Sequence, residues 1–155
     1  MTLDQAWDLS QKWYGNRLAP DFRRPTRDEA LAIFGLFLLG ATTTKDFADM
    51  EGDRLGGCRT LPIQYGVGRA AWMISPSFVV PFLMINAGAW LHVLTGNFVL
   101  LQILGALMTA YGLYVLSLML RRPEDLAVEE NHVSWAHMYR MMFVAQIGFA
   151  AAYLL

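Results

Sequence analysis

Two long uncharged segments limit what this chain can fold into. They cover residues 70–94 and 98–120, and only the three-residue stretch 95–97 separates them. A helix needs about 20 predominantly apolar residues to cross the hydrocarbon core of a bilayer. Backbone N–H and C=O groups in that core must be satisfied inside the protein, and a helix does so within one segment. We therefore predict two membrane-spanning helices joined by a tight turn, the first of them kinked at Pro76 and Pro81.

Two shorter apolar segments flank this pair. Residues 30–44 reach spanning length if their helix extends from Thr26 into Lys45, and the last segment covers residues 133–155. The chain is 55% hydrophobic and 16% charged, whereas soluble domains carry roughly 25% charged residues. We therefore expect an all-α, multi-pass transmembrane helical bundle in residues 28–155, with about four membrane helices in contact with membrane lipid.

The first part of the chain has a different character. Residues 1–27 are polar and carry both acidic and basic side chains, so we predict an N-terminal interfacial or connecting segment. They lack the basic start and apolar core of a signal peptide. The net charge of −1 argues against nucleic acid as a partner. Cys58 is the single cysteine, so the chain cannot form an internal disulfide.

Charged residues concentrate between the first two apolar segments, in the stretch KDFADMEGDRLGGCRTLP at 45–62. Asp46, Asp49 and Asp53 follow one another at i, i+3 and i+7, which places them on one face if the preceding helix continues. Three like charges on one face repel one another. Carboxylates combined with substrate phosphates are typical ligands of Mg²⁺. The pattern predicts a Mg²⁺ site with Asp46, Asp49 and Asp53 as its ligands.

Basic residues in the same stretch indicate what the metal would help to bind. Arg54 and Arg59 lie on either side of Gly56 and Gly57. Guanidinium groups bind phosphate oxygens through paired hydrogen bonds, so both are predicted to bind diphosphate, with Lys45 as a weaker candidate. The alternative is a solvated acidic loop. Ionisable groups beside a membrane core tend to be functional, which favours a site.

This stretch resembles the second Asp-rich motif of the UbiA superfamily of intramembrane prenyltransferases. The matching positions are Asp46, Asp49, Gly52, Asp53, Arg54, Gly57, Thr60, Leu61 and Pro62. The sequence of this stretch is most similar to that of the branch that contains the archaeal geranylgeranylglyceryl phosphate prenyltransferases and the chlorophyll and homogentisate enzymes. The pattern HxSWxHMYxMM, which begins at His132, is similar to the last helix of that branch.

The resemblance implies Mg²⁺-dependent transfer of a prenyl group from an isoprenyl diphosphate to a lipid or aromatic acceptor. It implies catalytic roles for Asp49 and Asp53, with Asp46 as a further metal ligand. The family fold has nine membrane helices and two Asp-rich motifs, and this chain matches the later half. The first motif, NDxxDxxxD, has no counterpart here. We therefore expect a natural start further upstream, or a second chain that supplies the first half.

Basic residues also predict how the loops are placed, because they concentrate on the cytoplasmic side. The stretch 45–69 and the loop 121–132 carry basic side chains, and the turn at 95–97 carries none. We therefore expect the Asp-rich site to face the cytoplasm, beside the loop 121–132. The turn at 95–97 should lie with the termini at the other side, although the basic residues of 1–27 disagree with that placement.

Two functions from other classes compete with prenyl transfer. One is a non-catalytic membrane subunit, or a degenerate fragment of the family, that keeps the motif by descent. The other is a cation-binding transport module. A transporter usually carries ionisable side chains in the middle of its helices, and the cores of the three long uncharged runs, 30–44, 70–94 and 98–120, contain none. The non-catalytic subunit is therefore the stronger alternative.

Overall fold

The computed structural model describes residues 27–128 and 132–155, together with Gln5. All regular elements in these residues are helical. In chain order they are α1 (Arg27–Thr43), α2 (Lys45–Ala48), α3 (Met50–Leu55), α4 (Leu61–Tyr65), α5 (Val67–Ile74), a 3-10 turn (Ser75–Phe78), α6 (Val80–Trp90), α7 (Phe98–Arg121), α8 (Asp125–Val128) and α9 (Val133–Leu154). The predicted N-terminal segment lies almost entirely outside the described residues.

Within the described residues, three stretches are long and apolar enough to cross a membrane. They are Leu31–Ala48, Val67–Trp90 and Phe98–Arg121. The prediction of an all-helical chain with several membrane-spanning helices is confirmed for the described residues, although they contain three candidate spans and the sequence predicted about four. The expected fourth, α9, is a helix of 22 residues, but His137, Arg140 and Gln146 interrupt its apolar surface.

The prolines interrupt the second span, as predicted. Pro76 lies in the first turn of the 3-10 segment and Pro81 in the first turn of α6. Proline has no backbone N–H to donate and its ring crowds the preceding turn. The chain therefore tightens into a 3-10 turn after Ile74 and resumes as an α-helix at Val80.

The end of this span differs from the prediction, because residues 91–94 are not helical. The chain turns instead at His92, which adopts a positive φ of 56°. The Gly88 carbonyl accepts hydrogen bonds from the N–H groups of Val93 at 2.9 Å and Leu94 at 3.0 Å. The buried Leu94 side chain packs directly over Gly88. These contacts stabilise a helix end that hydrophobicity alone did not indicate.

A pair of amide side chains joins α6 to α7. Asn86 Nδ2 donates to Gln102 Oε1 at 2.8 Å and to the Gln102 carbonyl at 2.9 Å, and Gln102 Nε2 donates to the Asn86 carbonyl at 2.9 Å. Both side chains are half-buried. A polar group away from water is costly unless it is hydrogen-bonded, so the Asn86 Nδ2–Gln102 Oε1 bond needs both side chains, whereas each amide also donates to the backbone carbonyl of the other residue.

The connections between helices meet at two opposite ends of the bundle. At one end, α2 packs on α8, where Phe47 and Leu126 are fully buried. At the other, the Asn97 N–H donates to the Ala152 carbonyl at 2.6 Å, near the end of α9. The described residues therefore confirm that the charged stretch lies with the later loop and that the 95–97 turn lies with the C-terminal end.

Replacing Asn86 by leucine, which has a similar shape, should lower the free energy of unfolding by about 1–2 kcal/mol, because it leaves Gln102 Oε1 without its donor. The double variant Asn86→Leu/Gln102→Leu should cost less than the sum of the single variants. Reversible unfolding in mixed detergent micelles measures both quantities. Strictly additive losses would contradict this pairing.

Candidate functional site

The charged stretch does not continue α1 as one regular helix, which corrects the sequence-based expectation. The hydroxyls of Thr42, Thr43 and Thr44 donate back to the carbonyls of Leu38, Leu39 and Ala41 at 2.8, 2.9 and 2.6 Å. Such bonds compete with the helical ladder and bend helices. The chain then forms two short helices, α2 and α3, which are separated at Asp49.

The three carboxylates nevertheless remain together. Asp46 and Asp53 are half-buried, whereas Asp49 is exposed. The charged neighbours that act on Asp46 are Asp53 and Asp49, and both have the same sign. The local arrangement therefore concentrates negative charge at the end of the first candidate span.

The fit of this cluster to Mg²⁺ depends on what else coordinates the ion. In residues 27–128 and 132–155, no group of three or more His, Cys, Asp or Glu side chains is placed to hold a metal ion. Mg²⁺ commonly takes one or two protein carboxylates and completes its shell with water and substrate phosphates. Asp46, Asp49 and Asp53 do not form a three-ligand site by themselves in the described residues, so metal binding would depend on water and substrate phosphates. Their assignment as ligands stays a prediction.

Arg54 and Arg59 lie on either side of a sharp turn. Arg54 lies in the last turn of α3 and Arg59 lies beyond the turn, and both are exposed. Gly57 has a φ of +73°, a conformation that side chains other than glycine rarely adopt. The Cys58 N–H donates to the Asp53 carbonyl at 2.8 Å, which keeps this turn against the carboxylate segment.

The segment after the turn contains a further polar group near the basic residues. Gln64 Nε2 donates to the Arg59 carbonyl at 2.5 Å. Thr60 precedes α4, and its buried Oγ1 has no hydrogen-bond partner in the described part of the chain. The turn therefore carries two exposed arginines, and it is followed by a buried hydroxyl without a partner in the described residues.

An apolar cavity of about 130 Å³ adjoins the charged stretch, between the last turns of α1 and the first turns of α9. Its lining includes Phe37 and Lys45 on one side and Trp135 and Met142 on the other. Sequence reasoning did not identify this cavity. The spacing of apolar residues along α9 indicates which of them share a face. It does not show that a gap remains between this face and α1.

A different face of α9 contacts α7. His137 Nδ1 lies 2.9 Å from the Tyr111 hydroxyl, and the rings of Tyr114 and His137 meet edge to face with centroids 5.2 Å apart. The side chains of Trp135 and Tyr139 belong to the cavity instead. The two faces of α9 therefore have separate roles in packing.

The fold defines a helical protein with three candidate membrane spans and a carboxylate-rich segment at one end of its bundle. No family model, curated protein or solved structure matches this chain. The resemblance to UbiA prenyltransferases therefore rests on the motif residues themselves and stays a prediction.

Replacing Asp46 by asparagine should raise the melting temperature in the presence of a chelator, because it removes one of three mutually repelling charges. The expected gain is about 0.5 kcal/mol or less, as for other charge pairs near a surface. Added Mg²⁺ should stabilise the unsubstituted chain more than the variant. Glu51→Gln removes an exposed acid from the same segment and is the matched control. A lower melting temperature for Asp46→Asn in chelator would contradict the repulsion.

Proposed function

We propose that this chain forms the carboxylate-bearing half of a Mg²⁺-dependent intramembrane prenyltransferase of the UbiA type. The observation that carries the proposal is the clustering of Asp46, Asp49 and Asp53 in one charged segment at the end of an apolar helix. Accumulating negative charge there is unfavourable unless a cation offsets it. The absence of matches to known proteins leaves the motif and this arrangement as its support.

The carboxylates would bind the metal. Asp49 and Asp53 would be its principal ligands and Asp46 would assist, with diphosphate oxygens completing the shell. When bound, Mg²⁺ would supply charge stabilisation of the departing diphosphate. Because Asp49 is exposed whereas Asp53 is half-buried, the pair would extend from the packed helices to a surface that is open to a substrate.

The arginines would bind and orient the diphosphate. Arg54 and Arg59 are both exposed, and their planar guanidinium groups match phosphate oxygens in a paired geometry that an ammonium cannot reproduce. Lys45 is the weaker candidate for this role. The Gly57 turn would place the two arginines on either side of the same anion.

The apolar part of the bundle would exclude water from the reacting carbon of the isoprenyl group. A carbon that loses diphosphate develops positive charge and reacts with any water it meets. Exposed apolar side chains such as Leu31, Leu39, Ile103 and Leu107 line the candidate spans. They would be covered by lipid or by the helices that carry the first Asp-rich motif, and the acceptor would be a lipid or an aromatic compound.

Replacing either Asp49 or Asp53 by asparagine should reduce prenyl transfer by at least about a hundredfold in the full assembly, because each variant removes charge that holds the metal and diphosphate. The control is Glu51→Gln, which removes a neighbouring exposed acid and should leave the rate near that of the unsubstituted protein. The assay follows transfer of a radiolabelled isoprenyl group to membrane lipids or added aromatic acceptors. Near-normal transfer by either asparagine variant would contradict the metal assignment.

Binding measurements separate this function from the non-catalytic alternative. A prenyltransferase half should show Mg²⁺-dependent binding of an isoprenyl diphosphate once the first half is supplied, and Asp53→Asn should weaken that binding. A chain that assembles with the first half but binds no diphosphate, with or without Mg²⁺, would be a non-catalytic membrane subunit.

The single cysteine can be used to test on which side of the membrane the charged segment lies. Cys58 is exposed, and we propose that its segment faces the cytoplasm. A membrane-impermeant maleimide should label Cys58 in inside-out vesicles and leave it unlabelled in right-side-out vesicles. The matched control, Cys58→Ser/Thr95→Cys, moves the thiol to an exposed position at the opposite end of the bundle and should show the reverse pattern. Equal labelling of both positions from one side would overturn the arrangement.

A further inference from the structure

One exposed face of the bundle, where α9 lies beside α7, carries a cation without a protein partner. Arg140 lies on α9 and its side chain is exposed. No described residue forms a hydrogen bond or an ion pair with it. Phe143, Val144 and Ile147 follow at i+3, i+4 and i+7, so they share its face of the helix, and all three are exposed and apolar. A guanidinium group in apolar surroundings requires an anion or water to satisfy its donors.

His137 lies one turn before Arg140, and its ring has a defined orientation. The Tyr111 hydroxyl lies 2.9 Å from His137 Nδ1, and the Tyr114 ring meets the imidazole edge to face. Among the described residues, the Tyr111 hydroxyl has no other hydrogen-bond partner. A half-buried phenol needs an acceptor, so this hydroxyl donates to Nδ1. The neutral imidazole then carries its proton on Nε2.

The Nε2 atom of His137 is open to the outside of the bundle. It has no hydrogen-bond partner in the described part of the chain, and it is not one of the buried side-chain atoms that lack a partner there. An atom that lacks a partner and is not buried is accessible. Residues three apart are neighbours on a helix surface, so the Nε2–H group and the Arg140 guanidinium can donate to the same anion.

The depth of this pair in a bilayer favours a lipid phosphate as the anion. Arg140 lies seven residues after the start of α9, about 10 Å along the helix. That start lies at the same end of the bundle as the charged stretch, because Met138 contacts Thr44. Arginine reaches the headgroups by extending its side chain along the helix. Phe143 and Ile147 lie further from this end, at the level of the acyl chains.

We propose that this face of α9 binds the phosphate of an anionic phospholipid from the surrounding leaflet. The Arg140 guanidinium and the His137 Nε2–H donate to phosphate oxygens, Tyr111 fixes the tautomer of the histidine, and the acyl chains lie along Phe143 and Ile147. A headgroup with a net negative charge is favoured, because no described carboxylate pairs with Arg140. The site does not rest on the proposed transferase function, since it contains none of the proposed metal or diphosphate ligands and needs no Mg²⁺.

Native mass spectrometry of the full chain in a chelator, with phosphatidylglycerol and phosphatidylcholine in competition, tests the proposal. The unsubstituted chain should prefer phosphatidylglycerol. Arg140→Gln should weaken phosphatidylglycerol binding about fivefold, as expected for one basic residue near an anionic surface, and should remove the preference. His137→Phe keeps a ring against Tyr114 but removes the Nε2–H group, and should weaken binding about threefold. Arg69→Gln removes the same charge from an exposed position near the start of α5 and is the matched control, which should bind like the unsubstituted chain.

Unchanged phosphatidylglycerol binding by either Arg140→Gln or His137→Phe would overturn the proposal, as would an equal loss for Arg69→Gln. Displacement of the lipid by millimolar inorganic phosphate would overturn it in favour of a free anion. A dimer in the spectra that Arg140→Gln separates would instead assign this face to a second copy of the chain. Circular dichroism of each variant shows whether the fold is retained. Because Arg140 is exposed, its variant remains informative even if His137→Phe fails to fold.

Discussion

Backbone hydrogen bonding away from water governs this architecture, since an apolar layer offers no solvent to satisfy a broken helical ladder. Wherever the ladder is interrupted, the chain supplies another partner. After Pro76 it tightens into a 3-10 turn. At the end of α6, the Gly88 carbonyl receives two N–H groups, and at the start of α7 the Asn97 side chain accepts from Val99 and Leu100. The helices therefore begin and end where such partners exist.

The same requirement explains how polar side chains are distributed. Asn86 and Gln102 satisfy each other between α6 and α7, and Tyr111 meets His137 between α7 and α9. Paired in this way, polar groups hold helices together without exposing a donor or acceptor to an apolar environment. The Trp135 N–H and the hydroxyls of Thr60 and Thr109 depart from the rule, since each is buried without a hydrogen-bond partner in the described residues.

Most of the charged residues in the described part of the chain lie at one end of the bundle, where the regular helix is lost. Back-bonding by the threonines at 42–44 and the break at Asp49 weaken the helical ladder where Asp46, Asp49 and Asp53 repel one another. Functional sites often retain arrangements that reduce stability. A cation shared with a diphosphate would relieve the repulsion, which links the local cost in stability to the proposed chemistry.

Local sequence determined the helices whose limits depend on length, hydrophobicity and capping. The apolar segment predicted at 98–120 became Phe98–Arg121, and the last helix began at the predicted Val133. Asn97 and His132 cap these helices with their own side chains, so the signals for both starts are adjacent in the sequence. The kink near Pro76 was predictable for the same reason, because proline acts on its own turn.

Tertiary structure decided the remaining features. The early end of α6 depends on Leu94 packing over Gly88 and on the contact of Asn97 with Ala152. The cavity lies between segments that are far apart in the chain, as Thr44 and Met138, which meet there, are 94 positions apart. Hydrophobic periodicity specifies which face of each helix is apolar, but it does not specify how completely two such faces fill the space between them. That space depends on the relative position of the helices, which only long-range packing sets.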